Sequence, residues 1–292
     1  MKREEDPILT SPGTLYVSME RKSSLGSSPA GESRRRNGET PYPGLLIVNA
    51  DDWGRDHETT DRTLECILRR TVSSVSAMVF MEDSERAARV ARERGIDAGL
   101  HLNFTTGFSA PGVPAPLIEH QQRLSRYLRR HRLAQVLFHP GLTGSFKYVV
   151  AAQRDEFTRL YGAEPDRFDG HHHMHLCANV VFRNLLPSET VVRRDFTFQS
   201  GEKGVWNRVY RQFIDRILSR RHHLADFLFS LPPLEPPDRL QRIFSLARQF
   251  IVEVETHPAR PEEYRFLIGG EIFRRIGDLP IAPRFAVPPR GA

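Results

Sequence analysis

The chain has 292 residues, of which 39% are hydrophobic and 27% charged, a composition typical of a globular protein with one barrel-sized domain or two smaller ones. Its two cysteines, Cys66 and Cys177, exclude a disulfide framework and a four-cysteine zinc module, and they indicate a reducing compartment, the cytoplasm. The sequence contains no run of about 18 apolar residues, so we expect neither a transmembrane segment nor a signal peptide.

Basic residues outnumber acidic ones by 42 to 36, and all but four of them are arginines. An arginine excess can indicate phosphate or nucleic-acid contacts, because arginine pairs bidentately with phosphate. Here the arginines are interspersed with acids, as at 83–86 and 91–94, which favours solvated helix faces with paired charges. We therefore expect no nucleic-acid partner, and a metal-dependent phosphoesterase or nuclease remains an alternative.

The first 42 residues show no apolar periodicity, so we predict a disordered N-terminal tail over 1–42 and a single domain over 43–292. A buried strand is predicted at 45–48, where an apolar run stops at the sequence Asn-Ala-Asp-Asp. The patterns that follow predict a helix at 58–70, a strand at 72–80, a helix at 84–94 with Ser84 as N-cap and Gly95 after its end, and a strand at 96–102.

The second half of the chain continues this alternation. A Gly/Pro-rich stretch at 106–116 is expected to form a loop over the site. The patterns then predict helices up to about 139 and over 143–161, followed by a strand ending near 169 and a helix up to 186. After these come a strand at 190–193, a helix at 206–221, a strand at 251–258 and a helix from 261. Strands alternating with helices favour a parallel α/β architecture, and the length fits a single TIM-barrel-like domain.

Four polar clusters lie at the ends of predicted strands: Asp51 with Asp52, His101, Asp169 with the histidines at 171–175, and Glu255 with His257. In a parallel α/β barrel, the carboxyl ends of all strands open on one face, where active sites are found. A carboxylate and neutral imidazoles from separate strands are ligands for a divalent metal of the zinc or manganese class. A second carboxylate beside a ligand can accept the proton of an attacking water.

Each cluster also has a simpler structural interpretation. The two aspartates would equally serve as a helix N-cap and a first-turn carboxylate, and His101 as a hydrogen-bonded strand histidine. His257 fits either a proton donor or a loop histidine. The segment 169–175 is harder to explain structurally, because in an extended chain Asp169, His171, His173 and His175 would share one face while His172 and Met174 take the other.

Four segments of the chain resemble the signature segments of the YdjC-like carbohydrate deacetylases, a family that includes chitooligosaccharide deacetylase and the hopanoid-associated deacetylases. The segments are LIVNADDWG at 46–54, AGLHL at 98–102, DGHHHMH at 169–175 and EVETHP at 253–258. The resemblance extends from about residue 45 to 270. It implies a distorted (β/α) barrel, one divalent metal ion, Mg²⁺ or Zn²⁺, and hydrolysis of an N-acetyl group on a sugar.

The resemblance also implies roles for individual residues. Asp52, His101 and His171 would hold the metal, Asp51 would be the general base, and His257 a proton donor or substrate contact. Asp169 would orient a ligating histidine, as metal-bound imidazoles normally require. Further residues expected behind the ligands or against the substrate are His173, His175, Trp53 and Glu255.

Two positions depart from the family pattern: Trp53 stands where phenylalanine is usual, and Gly170 where serine is usual. The basic stretches at 121–139 and 208–223 have no counterpart that we can match, and we expect them to shape the substrate pocket. The expected partner is an acetylated carbohydrate or glycolipid substrate, with a homodimer as an open alternative to a monomer. A barrel that keeps the metal site but only binds sugar is the non-enzymatic alternative.

Overall fold

The computed structural model of the protein describes residues 44–130, 133–198 and 204–288, so the tail predicted at 1–42 lies outside the described residues. Within these ranges the strands are β1 (Leu45–Trp53), β2 (Ser74–Ala77), β3 (Ala98–Leu102), β4 (Arg167–Gly170), β5 (Val191–Val192), β6 (Phe227–Ser230) and β7 (Ile251–Thr256). The helices are α1 (His57–Leu68), α2 (Ser84–Arg94), α3 (Ala115–Arg130), α4 (Thr143–Tyr161), α5 (Ala178–Phe182), α6 (Val205–Leu218), α7 (Pro237–Leu246), α8 (Pro261–Ile268) and α9 (Glu271–Ile276). None of these helices is both long and apolar enough to cross a membrane.

All strand pairs are parallel, and the strand order is β5-β4-β3-β2-β1-β7-β6. The two edges of the sheet approach each other just past β5, where the Thr197 amide donates to the Leu228 carbonyl at 2.9 Å. The sheet therefore curls into a distorted α/β barrel, as predicted. The carboxyl ends of the strands open at one end of this barrel.

The centre of the sheet is β1, which lies between β2 and β7 and is buried from Leu46 to Trp53. Its apolar run is continuous because a parallel strand with helices and barrel interior on its two faces has no solvated side. Burying each large apolar side chain of this kind stabilises the fold by roughly 1.5–3 kcal/mol relative to exposure. The sequence becomes polar only where the strand reaches the open end of the barrel.

Most predicted elements are present, and α4 has the predicted bounds. The prediction of Ser84 as an N-cap is wrong, because Asp83 precedes α2 and Ser84 is its first helical residue. The Ser84 hydroxyl instead accepts from the Met81 amide and donates to the Met78 carbonyl, both at 2.9 Å. Gly95 ends α2 in the left-handed conformation, as predicted.

Arginines on the helices form the local ion pairs that the charge pattern predicted. Arg86 contacts Asp61 and Asp83 at 2.7 Å, and Arg159 contacts Glu156 at 2.8 Å. The pairs Arg86–Asp61 and Arg159–Glu156 lie at the surface, where an ion pair contributes only about 0–1 kcal/mol. These arginines are thus accounted for without a phosphate ligand.

Candidate metal centre and active site

A β-bulge at the end of β1 brings two adjacent carboxylates to the same place. In a regular strand, neighbouring side chains point to opposite faces. Here the register with β2 shifts between Ala50 and Trp53, and Asp52 adopts a left-handed conformation with φ 66°. Because of the bulge, the side chains of Asp51 and Asp52 both point into one buried polar cluster. Neither is a helix N-cap, since Asp56 caps α1.

Asp52, His101 and His171 meet at the open end of the barrel. The Asp52 Oδ1 atom lies 2.9 Å from Nδ1 of His171 and 3.4 Å from Nε2 of His101. Two ligands at about 2.0–2.2 Å from one ion are separated by about 3.0–3.5 Å, so these distances fit a shared cation. All three residues are buried, and one carboxylate with two imidazoles is a donor set for a divalent metal.

The electrostatics of the three residues favour a positive charge between them. Burial by itself raises the pKa of Asp52, but His171 and His101 outweigh it and hold that pKa well below its usual range. Burial lowers the pKa of His101, yet the carboxylates of Asp51 and Asp169 raise it to about 10. A divalent cation would satisfy the same carboxylates while the imidazoles bind it in their neutral form.

Asp169, at the end of β4, lies where a residue that orients a ligating histidine is expected. Its Oδ1 is 2.8 Å from Nδ1 of His101, which directs Nε2 of the same ring towards Asp52. Its Oδ2 accepts hydrogen bonds from Ser76 Oγ and from Arg193. Burial acts to raise the pKa of Asp169, but Arg193 and His101 more than offset it and lower the pKa.

Arg193 is the central residue of the carboxylate cluster, and sequence reasoning missed it. It follows β5, is almost completely buried, and its guanidinium contacts four carboxylates: Asp51 at 2.7 Å through each of two nitrogens, Glu253 at 2.7 Å, Asp169 at 2.9 Å and Glu255 at 3.4 Å. The one available signal was its position directly after a strand, which few of the chain's many arginines share. Arg193 donates to both oxygens of Asp51, whose carboxylate also lies within 4.8 Å of a ring nitrogen of His101.

Two glutamates of β7 complete the cluster around Arg193. Burial raises the pKa of Glu253 to about 7, and Arg193 offsets only part of that effect. Burial also acts to raise the pKa of Glu255, but His173, whose Nε2 lies 3.1 Å from Glu255 Oε2, lowers it to about 2. At neutral pH the carboxyl of Glu255 is therefore ionised, whereas that of Glu253 is partly protonated.

The expectation that the histidine segment is extended is wrong. The strand β4 ends at Gly170, and His171–Leu176 form a 3₁₀ turn in which His172 and His173 adopt left-handed conformations with φ 55°. The turn packs closely on the strand, since a Cβ at Gly170 would lie 3.0 Å from the His175 amide nitrogen. The alternation of faces expected for an extended chain therefore does not apply.

The turn distributes the histidines to different partners. His172 Nδ1 lies 3.0 Å from Thr105 Oγ1, while His171 and His173 reach Asp52 and Glu255. His175 lies deeper and donates from Nε2 to the carbonyl of Arg193 at 2.9 Å. Burial lowers the pKa of His175 to about 3, so a neutral ring supports the backbone that carries Arg193.

The remaining predicted residues lie at different depths. His257 follows β7, is partly exposed, and has a ring nitrogen within 4.8 Å of carboxylate oxygens of Asp51 and Glu255. Trp53 is fully buried in the hydrophobic core, out of reach of a substrate. Both cysteines are buried and unpaired among the described residues, as expected for packing residues.

Part of the basic stretch at 121–139 does approach the site. The described portion consists of the end of α3 and a turn at 133–139, in which Gln135 donates from Nε2 to the His173 carbonyl at 3.2 Å. Residues 131–132 lie outside the described part of the chain. The stretch at 208–223 contains most of α6, whose Asp215 pairs with Arg194 at 2.6 Å.

Comparisons with known proteins identify the family of the chain. The model of the YdjC-like protein family matches residues 45–276. A chitooligosaccharide deacetylase of Proteus mirabilis (strain HI4320) is 32% identical over 144 residues, which are 49% of this chain and 53% of that protein. A carbohydrate deacetylase of Mus musculus is 32% identical over 168 residues, 55% of this chain and 52% of that protein, so the chain spans about half the length of these relatives.

A solved structure shows the same fold. The crystal structure of an Enterococcus faecalis V583 protein named for cellobiose-phosphate cleavage aligns with a TM-score of 0.58 over 82% of this chain and 97% of that one, at 18% identity. The matched family segment contains every residue of the cluster described above. This chain belongs to the YdjC-like protein family.

Proposed function

We propose that the chain is a metal-dependent carbohydrate N-deacetylase, which hydrolyses the N-acetyl group of an amino sugar, an oligosaccharide or a glycolipid head group. The observation that carries this proposal is the meeting of Asp52, His101 and His171, with Asp51 alongside them but outside their donor set. A site that only binds sugar has no use for this additional carboxylate. The names of the matched relatives support the same substrate class.

The residues divide the work of amide hydrolysis. Asp52, His101 and His171 would hold a divalent ion, Zn²⁺ or Mg²⁺, which supplies Lewis acidity towards the acetamide carbonyl and the attacking water. Asp51 accepts the proton of that water as general base, and Arg193 holds the carboxylate in one orientation. His257 is the proton donor to the departing amine, and acetate and the free amino sugar are released.

The donor set also bears on the choice of metal. Magnesium prefers oxygen ligands, whereas imidazole nitrogens suit zinc and related transition metals. Two histidines and one aspartate therefore favour Zn²⁺ over Mg²⁺ at this site. The cytoplasm remains the proposed compartment, on the ground of the two unpaired cysteines.

Acetate release tests the proposal directly. Purified protein supplied with Zn²⁺ or Mg²⁺ should release acetate from N-acetylglucosamine oligomers or from a panel of glycolipids bearing acetamido sugars. The Asp52→Ala/His101→Ala variant should lose this activity. The matched control is His120→Ala, since His120 contacts Ser145 of α4 at 2.9 Å rather than the metal ligands.

Three results would contradict the proposal. Full activity after exhaustive chelation, or in the double variant, would exclude the metal mechanism. Hydrolysis of phosphodiesters together with steeply salt-dependent nucleic-acid binding would favour the phosphoesterase alternative. Bound metal without turnover of any acetylated sugar would favour a non-catalytic sugar-binding barrel.

A further inference from the structure

A cavity of about 280 Å³ lies at the carboxyl end of β6, and we call it the aromatic pocket. Its volume is slightly below the range of about 300–1,000 Å³ that is usual for small-molecule sites, so it suits one substituent of a larger ligand. Six apolar side chains line it: Phe196, Phe198, Phe229, Pro232, Pro233 and Ile243. None of them belongs to the machinery proposed above.

The aromatic pocket adjoins the proposed active site. The ring of Phe196 packs on the ring of His173 with centroids 4.4 Å apart, and His173 in turn contacts Glu255. In the sheet, Ser230 of the pocket is the register partner of Glu255, which itself pairs with Asn49 of β1. Two strand spacings of about 4.8 Å therefore separate Ser230 from Asn49, a distance of about 10 Å across the sheet.

Two of the three polar residues that line the pocket hydrogen-bond to the protein's own backbone. Arg239 donates to the carbonyls of Ser230 and Leu231 at 2.7 and 3.1 Å. Thr197 Oγ1 accepts from the Leu228 amide at 3.2 Å. A second sugar ring would bury hydroxyls that need their own hydrogen-bond partners, whereas a hydrocarbon needs none.

We propose that the aromatic pocket binds an alkyl or aryl aglycone on the anomeric carbon of the acetamido sugar, so that the preferred substrate is a glycoside with a hydrocarbon aglycone. This inference rests on the proposed function. The anomeric carbon is bonded to the carbon that carries the acetamido group, so the aglycone starts close to the reacting amide. An extended eight-carbon chain with bonds of about 1.5 Å reaches about 10 Å, which is the same order as two strand spacings.

The test compares acetate release from the methyl and the octyl β-glycosides of N-acetylglucosamine. The octyl glycoside should have a kcat/KM at least about tenfold higher, mainly through a lower KM, because burying two methylene groups suffices for that factor. The ratio of the octyl to the methyl kcat/KM should fall towards one in Phe229→Ala and in Phe198→Ala. Phe198 is less buried than Phe229, so Phe198→Ala provides the test if Phe229→Ala misfolds. The matched control is Phe213→Ala on the exposed face of α6, which should keep the ratio.

A binding measurement separates this inference from the proposed function. Octyl β-glucoside lacks the acetamido group, and calorimetry should detect its binding to the wild-type protein and weaker binding to Phe198→Ala. Such binding without turnover of any acetamido sugar would contradict the proposed function and leave the pocket assignment standing. If the methyl glycoside is turned over as well as the octyl glycoside and octyl β-glucoside does not bind, the pocket assignment alone is wrong. The same conclusion would follow if kcat/KM were higher for N,N′-diacetylchitobiose than for the octyl glycoside.

Discussion

The guanidinium of Arg193 is surrounded by carboxylates from three other strands, β1, β4 and β7. Its planar fork makes two parallel hydrogen bonds to Asp51 and a third, in another direction, to Glu253. An ammonium group cannot reproduce this arrangement, because it is a point charge without fixed donor directions. The orientation of the proposed base therefore depends on the shape of one side chain as well as on its charge.

We predict that Arg193→Lys lowers kcat for acetate release by about a hundredfold or more, since small losses of orientation are costly in catalysis. Metal content should be retained, because Arg193 does not contact Asp52, His101 or His171 in the described structure. Arg194→Lys is the matched control, as its partner Asp215 lies on α6. Wild-type kcat in Arg193→Lys would show that the fork does not position the base.

Glu253 gives a prediction for pH dependence. Its pKa is raised from 4.5 to about 7 in the folded protein, so the folded state binds this proton more tightly than the unfolded state does. The neutral form thus stabilises the fold at low pH, and this contribution is lost as the pH rises through about 7. Glu253→Gln should match the wild type near pH 5 and be more stable by up to about 3 kcal/mol at pH 8.

Urea denaturation of the metal-free proteins at the two pH values measures this difference. Glutamine keeps an oxygen to accept the hydrogen bond from Nε of Arg193, so the comparison isolates the ionisation. An equal stability difference at pH 5 and pH 8 would contradict the raised pKa of Glu253.

At the scale of the elements, the residue types at strand ends were predictable from the sequence, but the local backbone conformation there was not. The apolar run of β1 ends shortly before Asp51 and Asp52, His257 follows β7, and the parallel topology brings those ends together. The bulge at Asp52 and the left-handed residues His172 and His173 have no sequence signature, because aspartate and histidine tolerate that region without requiring it.

The two elements between residues 227 and 246 escaped prediction for a related reason. The strand β6 is short and runs directly into the Pro232–Pro233 pair, and α7 opens after Pro236. Prolines indicate loops, so the region from 227 to 246 shows little of the periodicity that identifies longer elements. As a result, the aromatic pocket could not be anticipated from the sequence.

The contact between β3 and the side chain of Arg167 gives a prediction at the element scale. A Cβ at Gly99 would lie 2.5 Å from Nε of Arg167, whose guanidinium is buried and donates to the Val75 carbonyl at 2.7 Å. Gly99→Ala should therefore lower the free energy of unfolding by about 1–3 kcal/mol through overpacking. Gly107→Ala, where a Cβ meets nothing within 4 Å, is the control in the same denaturation assay. Equal effects of the two substitutions would contradict the prediction.

At the scale of the whole molecule, the metal ligands come from separate parts of the chain and meet only after folding. Asp52, His101 and His171 follow or end three different strands. A cation held by all three binds the folded state and has no such site in the unfolded chain. Metal binding should therefore stabilise the entire domain.

We predict that Zn²⁺ raises the unfolding temperature, in line with a stabilisation of about 2.7 kcal/mol when the free metal is at a hundred times its dissociation constant. The shift should disappear in His101→Ala and persist in His222→Ala, a buried histidine whose amide donates to the carbonyl of Leu218, the last residue of α6. Differential scanning fluorimetry with and without a chelator measures it. An equal shift in His101→Ala would place the metal elsewhere.

The pairing of β1 with β7 also affects how the protein is made. Among the described strands the first lies beside the last, so one hydrogen-bonding edge of β1 stays open until about two hundred further residues have left the ribosome. Contacts between residues so far apart in sequence form slowly, and an open apolar strand edge promotes aggregation of nascent chains. We therefore expect slow refolding in vitro and a dependence on chaperones during synthesis.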